Sequence, residues 1–347
     1  MYYPKERRTI LQAFPLPPAA VTTFTNIFPL DGCGWSKIRL IFSTTTSAMV
    51  TTFADGIYRW IKGITLRTSR GEVLYNNVPG MAMYRFNSLI NHSHPWHDPH
   101  PAAGGVACAV LDIPFCMPFL NRPEDTILDT GRYSNLELQI TTGIVQDFLA
   151  AASVAQTAVV TMGIEIESTL AALVEDGTSK PFALPYVSTY PNIATATRLN
   201  WDLESSLDLG LFGFFLHFSD VLANAMGAVP FCSPAAGGVD NYTNVTLRDS
   251  VRTWINLLPH ETFENDREIL CPPKKYYFPD VTHIPGWTDQ IPTTAVGLYP
   301  YFFIQNGSIN EVYPTAKKSL INLSFTAIGA VGTQRADLCV FGMRALR

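Results

Sequence analysis

The stretches FCMPFLNRPEDTILDTGRYSNLELQI (residues 115–140) and PYFFIQNGSINEVYPTAKKSLINLSF (residues 300–325) align with each other without a gap. Four positions hold the same amino acid in both stretches: Asn121 and Asn306, Thr130 and Thr315, Ser134 and Ser319, Leu138 and Leu323. Similarity at a fixed spacing within one chain indicates a repeated structural unit. The pair therefore predicts that the chain consists of two halves with the same fold.

Four further matches support this duplication because they follow the same order along both halves. They are IRLIFS at 38 with FFLHFS at 214, ITLR at 64 with VTLR at 245, Pro79 with Pro259, and TAVVTMGIEIES (157–168) with RADLCVFGMRAL (335–346). The spacing between partners stays between 176 and 185 residues. Each match is weak alone, but several matches in one order are hard to obtain by chance.

The local sequence pattern is that of a β protein. Most apolar segments are short, rich in Val, Ile, Phe, Tyr and Thr, and bounded by Pro, Gly, Asn or Asp. The 25 prolines leave little room for long helices, and only residues 79–91, 143–155 and 259–270 have helical character. Each half holds about eight strand candidates, which suits a jelly roll of two packed sheets. We predict an all-β fold of two tandem eight-stranded jelly rolls with short helices in the connections.

The repeat also predicts the domain boundaries. They are an N-terminal arm over residues 1–19, a first jelly roll over 20–172, a linker over 173–186 and a second jelly roll over 187–347. The arm is basic at Lys5, Arg7 and Arg8 and then rich in proline, a composition that packs poorly alone. The longest connections, 91–111 and 271–296, follow the helical segment of each half, and we expect them to be contact loops.

The composition indicates a surface that is covered by protein partners. Charged residues make up 15% of the 347 residues, below the roughly 25% typical of soluble domains. The net charge is −5 and the densest basic cluster lies in the N-terminal arm, so we expect no direct binding of nucleic acid. The N-terminus lacks the apolar stretch of a signal peptide, and six scattered cysteines form no CxxC pair, so we expect free thiols and folding in a reducing cytoplasm.

The segment NHSHPWHDPH (91–100) is the strongest candidate for a metal site. His92, His94 and His97 have a spacing similar to the HxHxDH of metallo-β-lactamase-type hydrolases, but Trp96 stands in the place of the aspartate. A bicupin would need an HxH pair and a nearby glutamate in each barrel. Here the next glutamate is Glu124, and the second half has no HxH pair.

Prolines within and around this segment predict a loop instead of a barrel strand. We therefore predict no catalytic metal and no cofactor. A structural metal held at a subunit interface by His92, His94, His97 and His100 stays open as an alternative.

Three smaller groups of residues have a structural and a functional interpretation. Glu124, Asp125 and Asp129 could bind a structural cation, but loop acids are more often solvated. Glu165 and Glu167 alternate along one strand and share a face, which indicates a solvent or interface face before a glycosidase pair. Tyr58 and Trp60 would share one face if extended, either as a carbohydrate platform or, more commonly, as core or subunit contacts.

The tandem jelly-roll pattern resembles the double jelly-roll major capsid proteins of tailless icosahedral viruses, many of which contain an internal membrane. The resemblance covers residues from about 20 to 347 and is carried by segments such as WIKGITLRTSRGEVLYNNVPG (60–80) and TILDTGRYSNLELQI (126–140). The family implies a homotrimeric capsomer of pseudo-sixfold outline, with the barrels perpendicular to the capsid surface.

The resemblance leads to the prediction of a structural protein and not an enzyme, located in the virion shell of a virus whose host is a bacterium. Its expected partners are two further copies of the chain, neighbouring capsomers, and minor capsid or penton proteins. Through Lys5, Arg7 and Arg8 the arm would contact a neighbouring subunit or anionic headgroups of an internal membrane. The alternative function is a two-barrel carbohydrate-binding protein or glycan hydrolase, because fold alone does not fix function.

Overall fold

The structure of the protein is a computed structural model. It describes residues 5–16, 20–46, 56–91, 106–144, 147, 158–172, 183–194, 198–206, 208–220, 242–257, 298–304, 306–316, 321–327 and 334–345.

The described residues form eighteen strands and two α-helices. The first half contains β1 (Lys5–Leu16), β2 (Thr22–Pro29), β3 (Cys33–Thr46), α1 (Gly56–Trp60), β4 (Ile61–Thr68), β5 (Val73–Val78), α2 (Gly80–Asn91), β6 (Val106–Pro114), β7 (Leu128–Asp129), β8 (Asn135–Thr142) and β9 (Ala158–Ala172). The second half contains β10 (Ala183–Ala194), β11 (Arg198–Asp202), β12 (Leu209–Asp220), β13 (Tyr242–Asp249), β14 (Thr253–Leu257), β15 (Leu298–Phe302), β16 (Tyr313–Pro314), β17 (Ile321–Ala327) and β18 (Gln334–Ala345). Short 3-10 helices cover Pro123–Thr126 and Thr130–Arg132.

The two halves have the same strand order. The first barrel packs the sheet β1-β9-β3-β6 against β2-β8-β4-β5, and β7 pairs with β3. The second barrel packs β10-β18-β12-β15 against β11-β17-β13-β14, and β16 pairs with β12. Adding nine to the number of a strand in the first barrel gives the number of the equivalent strand in the second barrel. The predicted all-β fold of two tandem jelly rolls is confirmed, with one two-residue strand in each barrel besides the eight.

A parallel pair of strands joins the two barrels. Strand β10, the first of the second barrel, lies beside β5 of the first barrel and pairs Val187 with Tyr75 and Ser188 with Asn76. The sheets β2-β8-β4-β5 and β10-β18-β12-β15 therefore continue into each other as one sheet.

Alternation of side chains along the strands builds the barrel cores. In β8 the residues Leu136, Leu138 and Ile140 are buried, while their neighbours Glu137 and Gln139 are only half-buried. Because successive side chains of a strand point to opposite faces, one face of the sheet becomes apolar and packs inward. Burial of this face is the main favourable contribution to folding of each barrel.

A threonine occupies the same structural position in each barrel. The buried Thr130 donates a hydrogen bond to the carbonyl oxygen of Cys33, the first residue of β3, at 2.7 Å. The buried Thr315 donates to the carbonyl oxygen of Leu209, the first residue of β12, at 2.8 Å. The sequence match of these two threonines thus reflects one repeated contact that holds the start of a long strand.

Helix α2 lies between the two barrels and is buried over most of its surface. It follows Pro79, whose ring limits the backbone torsions at the helix start. A Cβ on Gly80 would lie 2.5 Å from the Tyr58 carbonyl oxygen, so the close packing of α1 on α2 requires glycine here. A helix that is buried on nearly all sides needs mostly apolar residues, and MAMYRF provides them apart from the buried Arg85.

Two strands extend into segments that were predicted to lie outside the barrels. Strand β10 begins at Ala183, inside the predicted linker 173–186. Pro185 lies before the part of β10 that pairs with β5, so within the described chain β18 is its only neighbouring strand, and proline is tolerated at such a position. Strand β1 likewise lies in the predicted arm 1–19, and the other domain boundaries stay a prediction.

The predicted helix over residues 79–91 is confirmed as α2. The predicted connection 91–111 is shorter than expected, because β6 begins at Val106. The helical segment 259–270 and the connection 271–296 lie outside the described residues, as does most of 143–155.

Candidate assembly surface

The two equivalent sheets β1-β9-β3-β6 and β10-β18-β12-β15 differ in their outer faces, meaning the face turned away from the barrel's own core. In β12 the side chains of Leu211 and Phe214 pack in the core of the second barrel. Phe212 and Phe215 belong to the cluster that contains the first-barrel core. A register shift between Leu211 and Gly213 explains why the alternation is interrupted there. The sheet is buried on both faces, which explains the continuous apolar run LGLFGFF.

An aromatic cluster forms this inter-barrel junction. The ring of Phe341 on β18 lies with its centroid 5.0 Å from Phe302, 5.3 Å from Phe86 of α2 and 6.0 Å from Phe119. Phe119 also contacts Phe212 edge-on, with 5.5 Å between centroids. Such tilted and edge-on ring pairs add to the stabilisation from buried area. The junction therefore has the chemistry of a protein core.

A loop contact at the junction joins two residues that are equivalent in the repeat. The Asn121 side-chain amide donates to the Asn306 carbonyl oxygen at 2.7 Å, and the Asn121 backbone N–H donates to the Gly307 carbonyl oxygen at 2.9 Å. Gly307 has a φ of 72°, and a Cβ there would lie 2.9 Å from the Asn121 Oδ1. Glycine is needed at this position both for its torsion and for the close approach.

The outer face of β1-β9-β3-β6 carries charged residues where the second barrel carries phenylalanines. Arg39 of β3 forms a bidentate ion pair with Asp112 of β6, at 2.8 and 3.1 Å. Lys37 Nζ lies 3.1 Å from Asp112 and 3.6 Å from Glu167 of β9. Glu165, the other predicted member of this face, lies opposite Arg39 in the β3–β9 register. The predicted shared face of Glu165 and Glu167 is thus built into an ion-pair network.

The electrostatics of this face favour the charged forms. Partial burial opposes ionisation of Glu167, but the hydrogen bond from Ser36 and the charges of Lys37 and Lys5 hold the pKa of this carboxyl below its ordinary value. The hydrogen bond to Asp112 raises the pKa of Arg39. Bidentate arginine–carboxylate pairs are strong and directional. The face is consequently polar but internally neutralised, which keeps it soluble when uncovered.

The basic residues of the N-terminal segment take part in the same network. Lys5 Nζ lies 3.4 Å from Glu167 Oε1, and Arg7 Nε lies 3.6 Å from Glu167 Oε2. Arg8 forms an ion pair with Asp31. All three predicted lipid-binding cations therefore have carboxylate partners within the chain. Binding to lipid headgroups stays a prediction.

The free edges of the sheets differ as well. Three alternate carbonyl oxygens of β6 accept hydrogen bonds from side chains: Val110 from the Tyr58 hydroxyl at 3.1 Å, Asp112 from the Asn87 amide at 2.8 Å, and Pro114 from the Tyr75 hydroxyl. Side chains of α1, α2 and β5 thus block this edge against another strand. In the described part of the chain, β1 pairs with β9 alone and β14 with β13 alone.

Other predicted site residues have structural roles or lie outside the description. Tyr58 and Trp60 are buried in the short helix α1 and are not an extended pair, so they belong to the core. Asp125 and Asp129 are buried and lie 3.4 Å from Arg122 and 3.0 Å from Arg132, respectively. Burial raises the pKa of Asp125.

The candidate metal ligands lie outside the described residues: His92, His94, His97 and His100. Within the residues that are described, no group of three or more His, Cys, Asp or Glu side chains could hold a metal ion. Four cysteines are free thiols: Cys33, Cys108, Cys116 and Cys339. None of the helices in the described part of the chain is long and apolar enough to span a membrane.

Sequence reasoning missed that α2 and β12 meet between the barrels. A signal was present, because FFLHFS (214–219) replaces the charged arginine of IRLIFS (38–43) with phenylalanine. Loss of charge from one copy of a repeated strand indicates that this copy is covered on its second face.

The fold and the inter-barrel junction define the chain as a double jelly-roll protein. No protein-family model matches the sequence, and no curated protein matches it. Solved structures of viral capsid proteins do match, and the chain has the double jelly-roll fold of viral major capsid proteins.

Each of the following three matches covers nearly the whole chain. The major capsid protein of the Sulfolobus Turreted Icosahedral Virus is 13% identical with a TM-score of 0.63, over 99% of this chain and 97% of that one. The PBCV-1 virus capsid chain is 11% identical with a TM-score of 0.64, over 99% and 94%. The major capsid protein P2 of bacteriophage PM2 is 11% identical with a TM-score of 0.56, over 99% and 98%. At these identities the similarity establishes the fold.

Proposed function

We propose that the chain is a major capsid protein that assembles as a homotrimer of pseudo-sixfold outline into an icosahedral virion shell. The observation that carries the proposal is the junction between two barrels of identical strand order within one chain. The three capsid structures described above support it through their shared fold.

The geometry of the repeat supports a trimer. Three copies of a chain with two equivalent barrels present six similar units around one axis, and a heterologous contact that closes forms a ring. The low charged fraction of 15% fits a subunit whose sides are covered by neighbours. Neighbouring capsomers, minor capsid or penton proteins, and membrane lipid are further partners under this proposal.

The contacts that the candidate site residues make favour a structural role over an enzymatic one. The carboxylates Glu167 and Asp112 neutralise lysines and arginines of the same sheet. Tyr58 and Trp60, the candidate carbohydrate platform, are buried in the first core. Nothing in the described residues favours the carbohydrate-binding or hydrolase alternative.

The mass of the purified protein in solution tests the proposal. We expect a stable species of three times 38.3 kDa with a hexagonal outline in electron micrographs. A monomer whose melting temperature rises with an added saccharide would contradict the proposal and support the alternative. A virion preparation in which one band of 38.3 kDa dominates would support the location in the shell.

A further inference from the structure

We propose that strand β1 of one copy pairs in parallel with strand β14 of the next copy, and that the second barrel of that copy covers the outer face of β1-β9-β3-β6. The partner is a second copy of this chain, and the inference rests on the proposed trimer. It assigns the strands and the register of the subunit contact.

The contact already exists once inside the chain. Strand β10 of the second barrel pairs in parallel with β5 of the first barrel, and Asn76 Nδ2 donates to Ser188 Oγ at 3.3 Å. In the shared strand order, β1 is the equivalent of β10, and β14 is the equivalent of β5. Repeating the in-chain contact between copies therefore brings β1 to β14.

The equivalent strands β1 and β10 differ in their exposure, as this arrangement requires. Residues Ala183 to Thr189 of β10 are all buried. Residues Lys5 to Pro15 of β1 are all exposed or half-buried, and Ile10 and Phe14 are each 38% exposed. The first barrel covers β10, whereas in the described chain no strand lies on the second edge of β1. An uncovered edge strand with apolar side chains is a site for strand addition.

The sequence repeat places Asn256 at the position of Asn76. The segments VLYNNV (73–78) and TWINLL (253–258) align with the same spacing as Pro79 and Pro259. The register agrees, because Tyr75 pairs with Leu66 in the first barrel and Ile255 pairs with Leu247 in the second. Asn256 is exposed.

The strand registers place Arg8 at the position of Ser188. Ser188 pairs with Val340 of β18, and Val340 pairs with Phe214 of β12. The repeat aligns Phe214 with Ile38 of β3, which pairs with Ile166 of β9. Ile166 in turn pairs with Arg8 of β1. The predicted neighbours across the subunit contact are therefore Arg8 and Asn256.

Disulfide cross-linking in the full chain tests this pair. Paired residues of neighbouring strands lie within the Cα separation that a disulfide bridges. We expect the double variant Arg8→Cys, Asn256→Cys to form a covalent trimer on mild oxidation, seen on a non-reducing gel and lost after reduction. A closed ring gives a trimer and no larger species.

Three controls accompany the test. The double variant Asn76→Cys, Ser188→Cys reports the known in-chain pair and should form only an intramolecular disulfide. The double variant Phe14→Cys, Asn256→Cys should not cross-link, because Phe14 lies about 20 Å further along β1. The unmodified chain measures any background from native thiols, among which burial raises the pKa of Cys116 to about 12 and thereby lowers its reactivity.

The outcomes separate this inference from the proposed function. A covalent trimer in the first variant alone supports both. A chain that is trimeric by mass, forms the in-chain disulfide and fails to cross-link through Arg8 and Asn256 overturns the inference and leaves the capsid function standing. A chain that stays monomeric overturns both.

Discussion

The outer faces of β1-β9-β3-β6 and β10-β18-β12-β15 occupy equivalent places in one repeated fold but have opposite chemistry. The outer face of β10-β18-β12-β15 is covered by the first barrel and carries the phenylalanines of β12 and β18. The outer face of β1-β9-β3-β6 carries an ion-pair network of Lys37, Arg39, Asp112 and Glu167. The backbone is repeated, whereas the side chains of the two outer faces differ. Under the proposed trimer this difference has a simple cause, because the second face is covered within the chain and the first by another copy.

This difference matches the physical demands on the two contacts. A junction within one chain never separates, so it can be as apolar as a core. A surface that is exposed until subunits meet has to stay soluble, and interfaces of this kind keep more polar groups than permanent ones. The charged face is thus expected to form a contact that is sensitive to salt, because screening weakens ion pairs at a surface.

Removal of β1 is expected to have the largest effect, which is on the assembly of the trimer. A chain lacking residues 1–15 keeps Leu16, the buried residue of β1, and loses the uncovered edge. We expect the trimer to be lost while the far-ultraviolet circular dichroism of a β protein is kept. Sedimentation of the truncated chain measures the result, and a trimer of unchanged stability would show that β1 is not part of the contact.

A double variant separates the strand from its charges. Replacing Lys5 and Arg7 with alanine removes two ion pairs to Glu167 but keeps the edge of β1. We expect this variant to remain trimeric and to dissociate at lower salt than the unmodified protein.

The second prediction concerns the apolar junction. Phe341 is fully buried and contacts Phe86, Phe119 and Phe302. Phe341→Ala should lower the free energy of unfolding by about 3–5 kcal/mol, because it leaves a cavity between the barrels. Ile41→Ala on the half-buried outer face of the first barrel is the matched control and should cost clearly less. If urea titrations gave the same loss of unfolding free energy for Phe341→Ala and Ile41→Ala, the distinction between the two faces would be contradicted.

The third prediction tests the equivalence of the two barrels. Thr130→Val and Thr315→Val each remove a hydrogen bond that a buried threonine donates to the first residue of a long strand. Each should destabilise the protein by about 1–3 kcal/mol, because the carbonyl oxygen loses a hydrogen-bond donor. Thr25→Val on an exposed position of β2 controls for the substitution itself. A loss of stability in only one of the two variants would show that the matched threonines have different roles in the two barrels.

The sequence repeat predicts the fold well because strand order and barrel closure depend on local patterns that both halves share. Alternation identifies the inward residues of β8, and the matched threonines have one structural role. The pairing of Asn121 with Asn306 could not be predicted, because a match says that two residues are equivalent and not that they touch. Strand β10 begins inside the predicted linker, and its Pro185 is tolerated because in the described chain the strand has a single neighbour there.

The smallest expected effect is the pH dependence of Glu167. Its pKa lies below the ordinary value of 4.5 in the folded protein, so between these two values the unfolded chain binds more protons than the folded chain. The stabilisation is therefore complete above pH 4.5 and is lost as the pH falls through the lowered pKa. For this partly exposed network we expect about 1 kcal/mol or less.

Melting temperatures of the unmodified protein and of Glu167→Gln, measured between pH 7 and pH 3, check this effect. The glutamine variant should be the less stable at neutral pH, and the two curves should converge in acid as Glu167 itself becomes neutral. A difference that stayed constant in acid would show that the variant perturbs packing instead of removing a charge. The β1–β14 contact requires that this face is covered in the trimer, where salt screens an ion pair less than in water. Raising the salt concentration should therefore reduce the difference in melting temperature between the unmodified protein and Glu167→Gln more for separated subunits than for the assembled trimer.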